Sequence, residues 1–375
     1  LTTYYPESPA ITKEEIAAIA DFVKENGNIL PENTRLKKLT SGDFELLIAS
    51  AQKDPAKSDR DVSESSWTLD VEPVKGKKIS LVYGDHAQEM EKIASFLAEA
   101  KKHSANEYQS DMHSEYVKSF KTGSMTAHVQ SQRHWIKDKG PDVESNIGFI
   151  ETYRDPHGIR GEWEGFVSMV NKERTKAFAH LVAEAPKNIK KLPWPAEFEK
   201  TFVAPDFTAL EVLTFAGSGI PAGINIPNYD SVRQDPDGGF KNVSLSNVLS
   251  AKAPNEKVPF IKDEDMEVYK KYADAAFEVQ VGLHELLGHG CGKILQETEP
   301  GKFNFDHKNP PISPITQKPV TSYYKPGETW GSVFGGMGPS YEECRAECVA
   351  MALCPDYSIL QIFGFGNGQE VRTAK

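Results

Sequence analysis

His284-Glu285-Leu286-Leu287-Gly288-His289 is the stretch that decides how this chain is read. Two histidines and a glutamate packed this closely are the donors and the base of a zinc-binding helix, but here the histidines stand at i and i+5 rather than i and i+4. A helix turns by about 100° per residue, so side chains at i and i+4 lie about 40° apart and share a face. At i and i+5 the separation grows to about 140°, and a regular helix cannot aim both rings at one ion. A local i→i+5 turn, a π-bulge, absorbs the extra residue and restores the shared face; such bulges concentrate at functional sites. Gly288, beside the second histidine, lowers the steric cost of that distortion. The reading is a zinc helix with a built-in irregularity. Taken alone, the motif also fits a buried helix with two satisfied histidines.

Catalytic zinc has three protein ligands and one open position for water. His284 and His289 supply two. Glu285 suits the general base: zinc lowers the pKa of a bound water toward ~7, and the carboxylate takes its proton and delivers it to a leaving amine. The third ligand is expected from another helix. Ser340-Tyr341-Glu342-Glu343-Cys344-Arg345-Ala346-Glu347 offers three carboxylates. Glu343 and Glu347 are four apart and share a face. One can bind the metal while the other orients a ligand histidine through its second ring N–H. Ser340 and Glu343 are also spaced as the ends of a capping box; the pairing with a zinc-type helix favours the metal reading.

Outward from these helices the pattern is mixed. Thr12 and Glu15 form a capping box before the apolar stripe Ile16, Ile19, Ala20 and Val23. Residues 43–50 read as a second short helix, 53–66 as an exposed loop, 78–83 as a strand and 90–102 as an amphipathic helix. Residues 147–153 read as a strand, followed by a turn at Asp155-Pro156-His157-Gly158. Residues 167–184 are helical in pattern, and the proline-rich 186–205 is a connection. Residues 209–216 are β-prone, and Ile220 to Tyr229 is an extended edge segment, because its prolines and Gly223 oppose a helix. One long helix is expected from Glu264 to His289, a long loop from Pro310 to Pro339, and a last helix from Ser340 to Leu353. Strands fall early and helices late, which predicts an α+β fold with at least two lobes.

The 375 residues suffice for two domains. The net charge of −11 argues against nucleic acid and anionic membranes as partners. No apolar run reaches the ~18 residues of a membrane span, and no signal peptide opens the chain. The four cysteines, Cys291, Cys344, Cys348 and Cys354, read as reduced thiols of a cytoplasmic protein. A zinc site using Cys291 or the Cys344/Cys348 pair is the competing use of them. The chain opens at Leu1 and stops at Lys375 straight after a glycine-rich stretch, so it is expected to be a central fragment of a longer, monomeric protein.

Together, His284-Glu285-Leu286-Leu287-Gly288-His289 and Glu342-Glu343-Cys344-Arg345-Ala346-Glu347 resemble the signature of the dipeptidyl peptidase III family of zinc exopeptidases. The resemblance extends to Asn146-Ile147-Gly148-Phe149-Ile150-Glu151, Tyr153-Arg154-Asp155-Pro156 and the segment from Gly219 to Asp230, and so covers essentially the whole chain. It implies that His284, His289 and Glu343 hold one zinc, that Glu285 is the general base, and that Glu342 and Glu347 orient the two histidines. It implies that Glu144, Asn225 and Asn228 hold the substrate's free amino terminus; a carboxylate and two amide oxygens satisfy the three donors of an ammonium. Without the resemblance, the asparagines read as turn chemistry beside Pro227. Gly219, Pro221 and Ala222 match an edge strand that pairs with the peptide backbone. Asn146 stands where the family usually has a tyrosine near the scissile carbonyl; asparagine donates a hydrogen bond but cannot act as an acid. Full-length members continue beyond Lys375 with further residues that contact substrate.

The implied function is a zinc-dependent hydrolase, a dipeptidyl aminopeptidase that releases amino-terminal dipeptides from short peptides through a zinc-activated water. The implied fold has two lobes around a cleft. Residues 1–164 and 209–255 form a lower, substrate-binding lobe with a β-barrel; 165–208 and 256–375 form a helical upper lobe carrying zinc. The alternatives are an inactive peptide-binding homologue or partner protein, and a zinc hydrolase of a non-peptide ester or lactone.

Overall fold

A computed structural model of the chain describes residues 2–366 except 9, 28, 234, 236, 250 and 252–257. The Thr12–Glu15 capping box forms as its spacing predicts: the Thr12 N–H donates to Glu15 at 3.0 Å and the Glu15 N–H to Thr12 Oγ1 at 3.2 Å. It opens α1 (Lys13–Gly27), whose Ile16, Ile19 and Val23 are buried. Next come β1 (Thr34–Lys38), β2 (Phe44–Ala49), β3 (Ser66–Thr68) and β4 (Lys78–Asp85), which form one sheet in the order β1-β2-β4-β3. Residues 43–50 are therefore a strand, not the expected short helix. Phe44, Leu46 and Ile48 alternate inward, and β2 pairs antiparallel with β1 and parallel with β4. In so short an apolar run, periodicity alone does not separate helix from strand.

Three helices follow: α2 (Ala87–Lys101), α3 (Glu107–Thr122) and α4 (Met125–Lys137). They cover a second sheet built from β5 (Val143–Glu151), β6 (Glu162–Val170), β7 (Asp206–Ala216), β8 (Gly223–Ile226) and β9 (Lys241–Leu245). Between these strands lie α5 (Lys172–Ile189), α6 (Asp230–Arg233) and, after β9, α7 (Ser246–Leu249). The sheet order is β5-β6-β7-β9-β8, curled as a half-barrel, with β8 on an edge. The helical pattern expected from 167 begins later. Residues up to Val170 pair with β7, and Asn171 caps α5 by accepting from the Arg174 N–H at 3.0 Å. Pro186 lies inside α5 rather than opening the connection.

The last third is helical around one long loop. α8 (Met266–Leu283) runs into a π-turn, His284–Gly288. A small hairpin, β10 (Glu297–Glu299) with β11 (Lys302–Phe303), opens the loop, and α9 (Trp330–Phe334) closes it. α10 (Gly338–Leu353) and α11 (Tyr357–Ile362) complete the described chain. Ser340 lies within α10, so it is not the N-cap that a capping box with Glu343 requires. Leu283, Leu286 and Leu287 are buried among Phe178, Leu181, Val349 and Leu353. Each such leucine contributes about 1.5–3 kcal/mol through burial, and this cluster fixes the π-turn against α5 and α10.

The fold is thus α+β, as the order of patterns predicts. The glycine-rich stretch before Lys375 falls largely outside the described residues.

Candidate metal centre

The extra residue between the histidines is absorbed where the spacing predicts. The His289 N–H donates to the carbonyl of His284 at 3.1 Å, an i→i+5 bond, and the π-turn puts both rings on one side of the helix. Their centroids lie 4.9 Å apart with planes at 82°. Gly288 serves a different purpose from the one its position suggests. Its φ is not positive, but a Cβ there would sit 2.8 Å from the Cα, Cβ and carbonyl oxygen of Ala346. The glycine lets α10 approach the π-turn backbone to backbone.

That approach delivers the carboxylates. Ligand atoms of His284, His289 and Glu343 lie within 4.8 Å of one another, the only such group of His, Cys, Asp and Glu among the described residues. Glu343 Oε2 is 3.0 Å from His284 Nε2, and Oε1 is 3.8 Å from His289 Nε2. The other ring nitrogens are held from behind: His284 Nδ1 by Glu347 at 3.1 Å, His289 Nδ1 by Glu342 at 3.0 Å. Gln280 Nε2 donates to Glu347, and Arg345 grips Glu342 with Nε at 2.8 Å and Nη2 at 2.5 Å. Each ring therefore turns its Nε2 toward Glu343, the arrangement by which outer carboxylates fix metal-binding histidines. The cysteines are not part of it: Cys291 is buried beside Arg345, and Cys344 and Cys348 are exposed on α10.

The charges follow from this packing. Burial pushes His284 down, but Glu343, Glu285 and Glu347 outweigh it and raise its pKa to about 9. Burial pushes Glu342 up, but His289 and Arg345 overcome it and hold the carboxyl at about 2. Glu285 is 6 % exposed. Burial pushes its carboxyl up to about 8; His284 opposes the rise, and Glu343 and Glu151 add to it.

The half-barrel closes one side of the centre. A Cβ on Gly223 would lie 2.5 Å from Glu285 Oε1, so the carboxylate rests directly on the start of β8. Asn225 Nδ2 donates to Asn242 and makes a long 3.5 Å contact with the Glu285 carbonyl. Asn228 Nδ2 donates to Glu151 Oε2 at 3.3 Å. Ala222 accepts from the Leu245 N–H at 2.9 Å, and Gly219 is exposed with open space around it.

The structure does not bring Glu144 and Asn146 together with these asparagines. Glu144 is buried in an ion pair with Lys241 Nζ at 2.9 Å and accepts from Trp135 Nε1 at 2.6 Å. Asn146 is buried on the same face of β5 and donates to Gln132 of α4 at 2.8 Å. Alternation along β5 turns both toward the helices, where Glu144 is paired and Asn146 uses its Nδ2 while its buried Oδ1 has no partner. Tyr153 belongs to a segment that carries the resemblance but is given no role by sequence, yet its hydroxyl donates to Glu343 Oε1 at 2.9 Å. No local pattern announces a contact between residues so far apart in the chain.

An α+β fold with a His-His-Glu triad, each imidazole buttressed by a carboxylate and a buried glutamate alongside, defines a metallopeptidase-like protein. The chain belongs to peptidase family M49, whose profile matches residues 1–374. It is 48 % identical over 373 residues to dipeptidyl peptidase 3 of Mus musculus, covering 97 % of this chain and 49 % of that protein. It is 46 % identical over 372 residues to the Homo sapiens protein of that name, again covering 97 % and 49 %. The chain therefore spans about half the length of the curated relatives it matches. Among solved structures, it resembles dipeptidyl-peptidase III from Corallococcus sp. strain EGB with a TM-score of 0.63 at 19 % identity, over 99 % of this chain and 58 % of that one. It resembles DPP III from Caldithrix abyssi with a TM-score of 0.64 at 17 % identity, over 99 % and 59 %.

Proposed function

We propose that this chain carries the zinc-holding part of a dipeptidyl peptidase that releases amino-terminal dipeptides from short peptides. The observation that carries the reading is the convergence of His284, His289 and Glu343 with both imidazoles oriented by carboxylates. Two nitrogens and one carboxylate oxygen are the donor set of a catalytic zinc site, and they fit one zinc per chain. The type of cleavage follows from the dipeptidyl peptidases that the chain resembles.

Zinc held there supplies Lewis acidity toward the peptide carbonyl and the attacking water. Glu285 takes a proton from that water on its carboxylate and passes it to the departing amine. Glu342 and Glu347 keep His284 and His289 in the tautomer that presents Nε2. Asn225 and Asn228, with Glu151 bonded to the latter, offer polar atoms to the substrate's amino terminus. Gly219, Pro221 and Ala222 lead into the edge strand β8, whose backbone suits pairing with an extended peptide. Glu144, which the resemblance adds to the two asparagines, is the buried partner of Lys241.

The two-lobe division belongs to the same proposal. The cores bear on it: one lies under the half-barrel, one joins α5, α8, α10 and α11 with Phe207 and Ala209 of β7, and a third packs α1 on the first sheet. The crossing set at 165 then moves to the end of β6, at 170; the other crossing, near 255, lies outside the described residues. A cytoplasmic monomer completes the reading. The free cysteines fit a reducing compartment.

The test is release of a dipeptide-linked fluorophore by the protein. Cleavage is expected to stop on chelation and return with zinc, and Glu285→Gln is expected to cost at least ~10²-fold in kcat with zinc content unchanged. Tight peptide binding without chelator-sensitive cleavage would replace the enzyme with a peptide-binding protein.

A further inference from the structure

Tyr153 lies just past the end of β5, and its hydroxyl reaches α10 to donate to Glu343 Oε1 at 2.9 Å. The other oxygen of that carboxylate, Oε2, faces His284 Nε2 at 3.0 Å. Both oxygens face the triad, but unequally: Oε1 carries the phenol's hydrogen bond and stands 3.8 Å from His289 Nε2, while Oε2 is free of the phenol and nearer its own histidine. A carboxylate with both oxygens free can chelate an ion through both and fill the position that a catalytic zinc keeps open. Tyr153 is 53 % exposed, so it is not a core residue whose loss would unfold the chain. It is also a side-chain link from the half-barrel strand β5 to the helix that supplies the third ligand.

We propose that Tyr153 is a positioning residue that fixes Glu343 so that it meets the metal through Oε2 alone. This rests on the zinc reading of the triad. It adds to that reading a device by which the half-barrel governs the geometry of a ligand carried on α10.

The experiment is cobalt(II) substitution of the wild-type protein, Tyr153→Phe and His284→Ala, followed by visible absorption spectroscopy and competition with a chromogenic chelator. The phenylalanine keeps the ring and removes only the hydroxyl; circular dichroism of each variant checks the fold. The wild type is expected to show a ligand-field band of low coordination number that His284→Ala abolishes. Freeing Oε1 in Tyr153→Phe raises the coordination number, so its band is expected to weaken and shift. Its affinity for metal or its activity is expected to fall about 10–100-fold, the usual cost of removing an outer hydrogen bond at a metal site. A folded variant whose band is weakened, shifted or absent supports the inference. A Tyr153→Phe spectrum that superimposes on the wild type overturns it and leaves the zinc reading standing. A wild type with no band dependent on His284 overturns both.

Discussion

At the residue scale, the centre depends on small side chains as much as on donors. Gly223 begins β8, and the Glu285 side chain lies against its Cα hydrogens. Its φ is not in the left-handed region, so glycine is needed there for space rather than conformation. An added methyl would meet Glu285 Oε1 at 2.5 Å and its Cγ and Cδ at 2.9 Å. These atoms cannot retreat far, because Glu285 is buried in the π-turn between Leu286 and the histidine ligand. Gly223→Ala is therefore expected to displace the base while leaving His284, His289 and Glu343 in place. A shift of about 1 Å at a catalytic group costs on the order of 10²-fold. Steady-state kinetics is expected to show that loss in kcat/KM, with one zinc per chain by elemental analysis. Unchanged kinetics would mean that Glu285 is not the proton carrier or that β8 yields freely.

At the scale of elements, the contact between the π-turn and α10 assembles the triad. Gly288 stands against the backbone of Ala346, and on either side of Ala346 lie Glu343 and Glu347, which reach the two ring nitrogens of His284. Gly288→Ala would drive a methyl to 2.8 Å from backbone atoms of α10 and force the helices apart. Overpacking of this kind costs about 1–3 kcal/mol. Thermal unfolding of the metal-free variant is expected to show a lower midpoint, together with weaker zinc binding. A midpoint equal to the wild type would remove close packing as the reason for this glycine. The irregular turn was legible in the sequence because two histidines five apart conflict with the 3.6-residue period. A carboxylate from a second helix was legible because Glu343 and Glu347 repeat at i,i+4, but spacing left open which of the two faces both histidines, and only the family resemblance singled out Glu343. The fate of Glu144 was not legible. Alternation puts Glu144 and Asn146 on one face of β5, but only the tertiary packing shows that this face is closed by Gln132 and Trp135 of α4 and Lys241 of β9. The strand at 44–49 was lost for a similar reason, since its two hydrogen-bonding neighbours are not visible in a short apolar run. Tyr153 is the same case at longer range, its partner Glu343 lying on an element with no local connection to β5.

At the scale of the whole molecule, the half-barrel is held to its helical layer by a buried histidine, and this makes stability depend on pH. His128 of α4 is 1 % exposed. Its Nε2 lies 3.0 Å from the Ile147 carbonyl of β5, and its Nδ1 lies 2.9 Å from the Tyr229 hydroxyl. Tyr116 and Phe120 of α3 pack against the ring, and Gly148 leaves the space beneath it, where a Cβ would come within 2.3 Å of Nε2. No water reaches such a ring, and burial pushes its pKa down to about 4, only partly offset by the Ile147 carbonyl. In the unfolded chain the same imidazole titrates near 6.5. Above that pH both states are neutral and the packing contributes in full. As pH falls from about 6.5 toward 4, the unfolded chain takes up a proton that the folded one refuses, so stability declines. The total loss from this one group is about 3 kcal/mol at most. His128→Gln keeps a donor for the Ile147 carbonyl and removes the titration. The variant is expected to be less stable at pH 7.5 but to lose less on going to pH 5. Denaturant unfolding of the metal-free proteins at both values measures that difference of differences, which cancels every other titrating group common to the two. Parallel losses in the two proteins would show that acid acts elsewhere, and that His128 joins α4 to β5 without making the joint sensitive to protons.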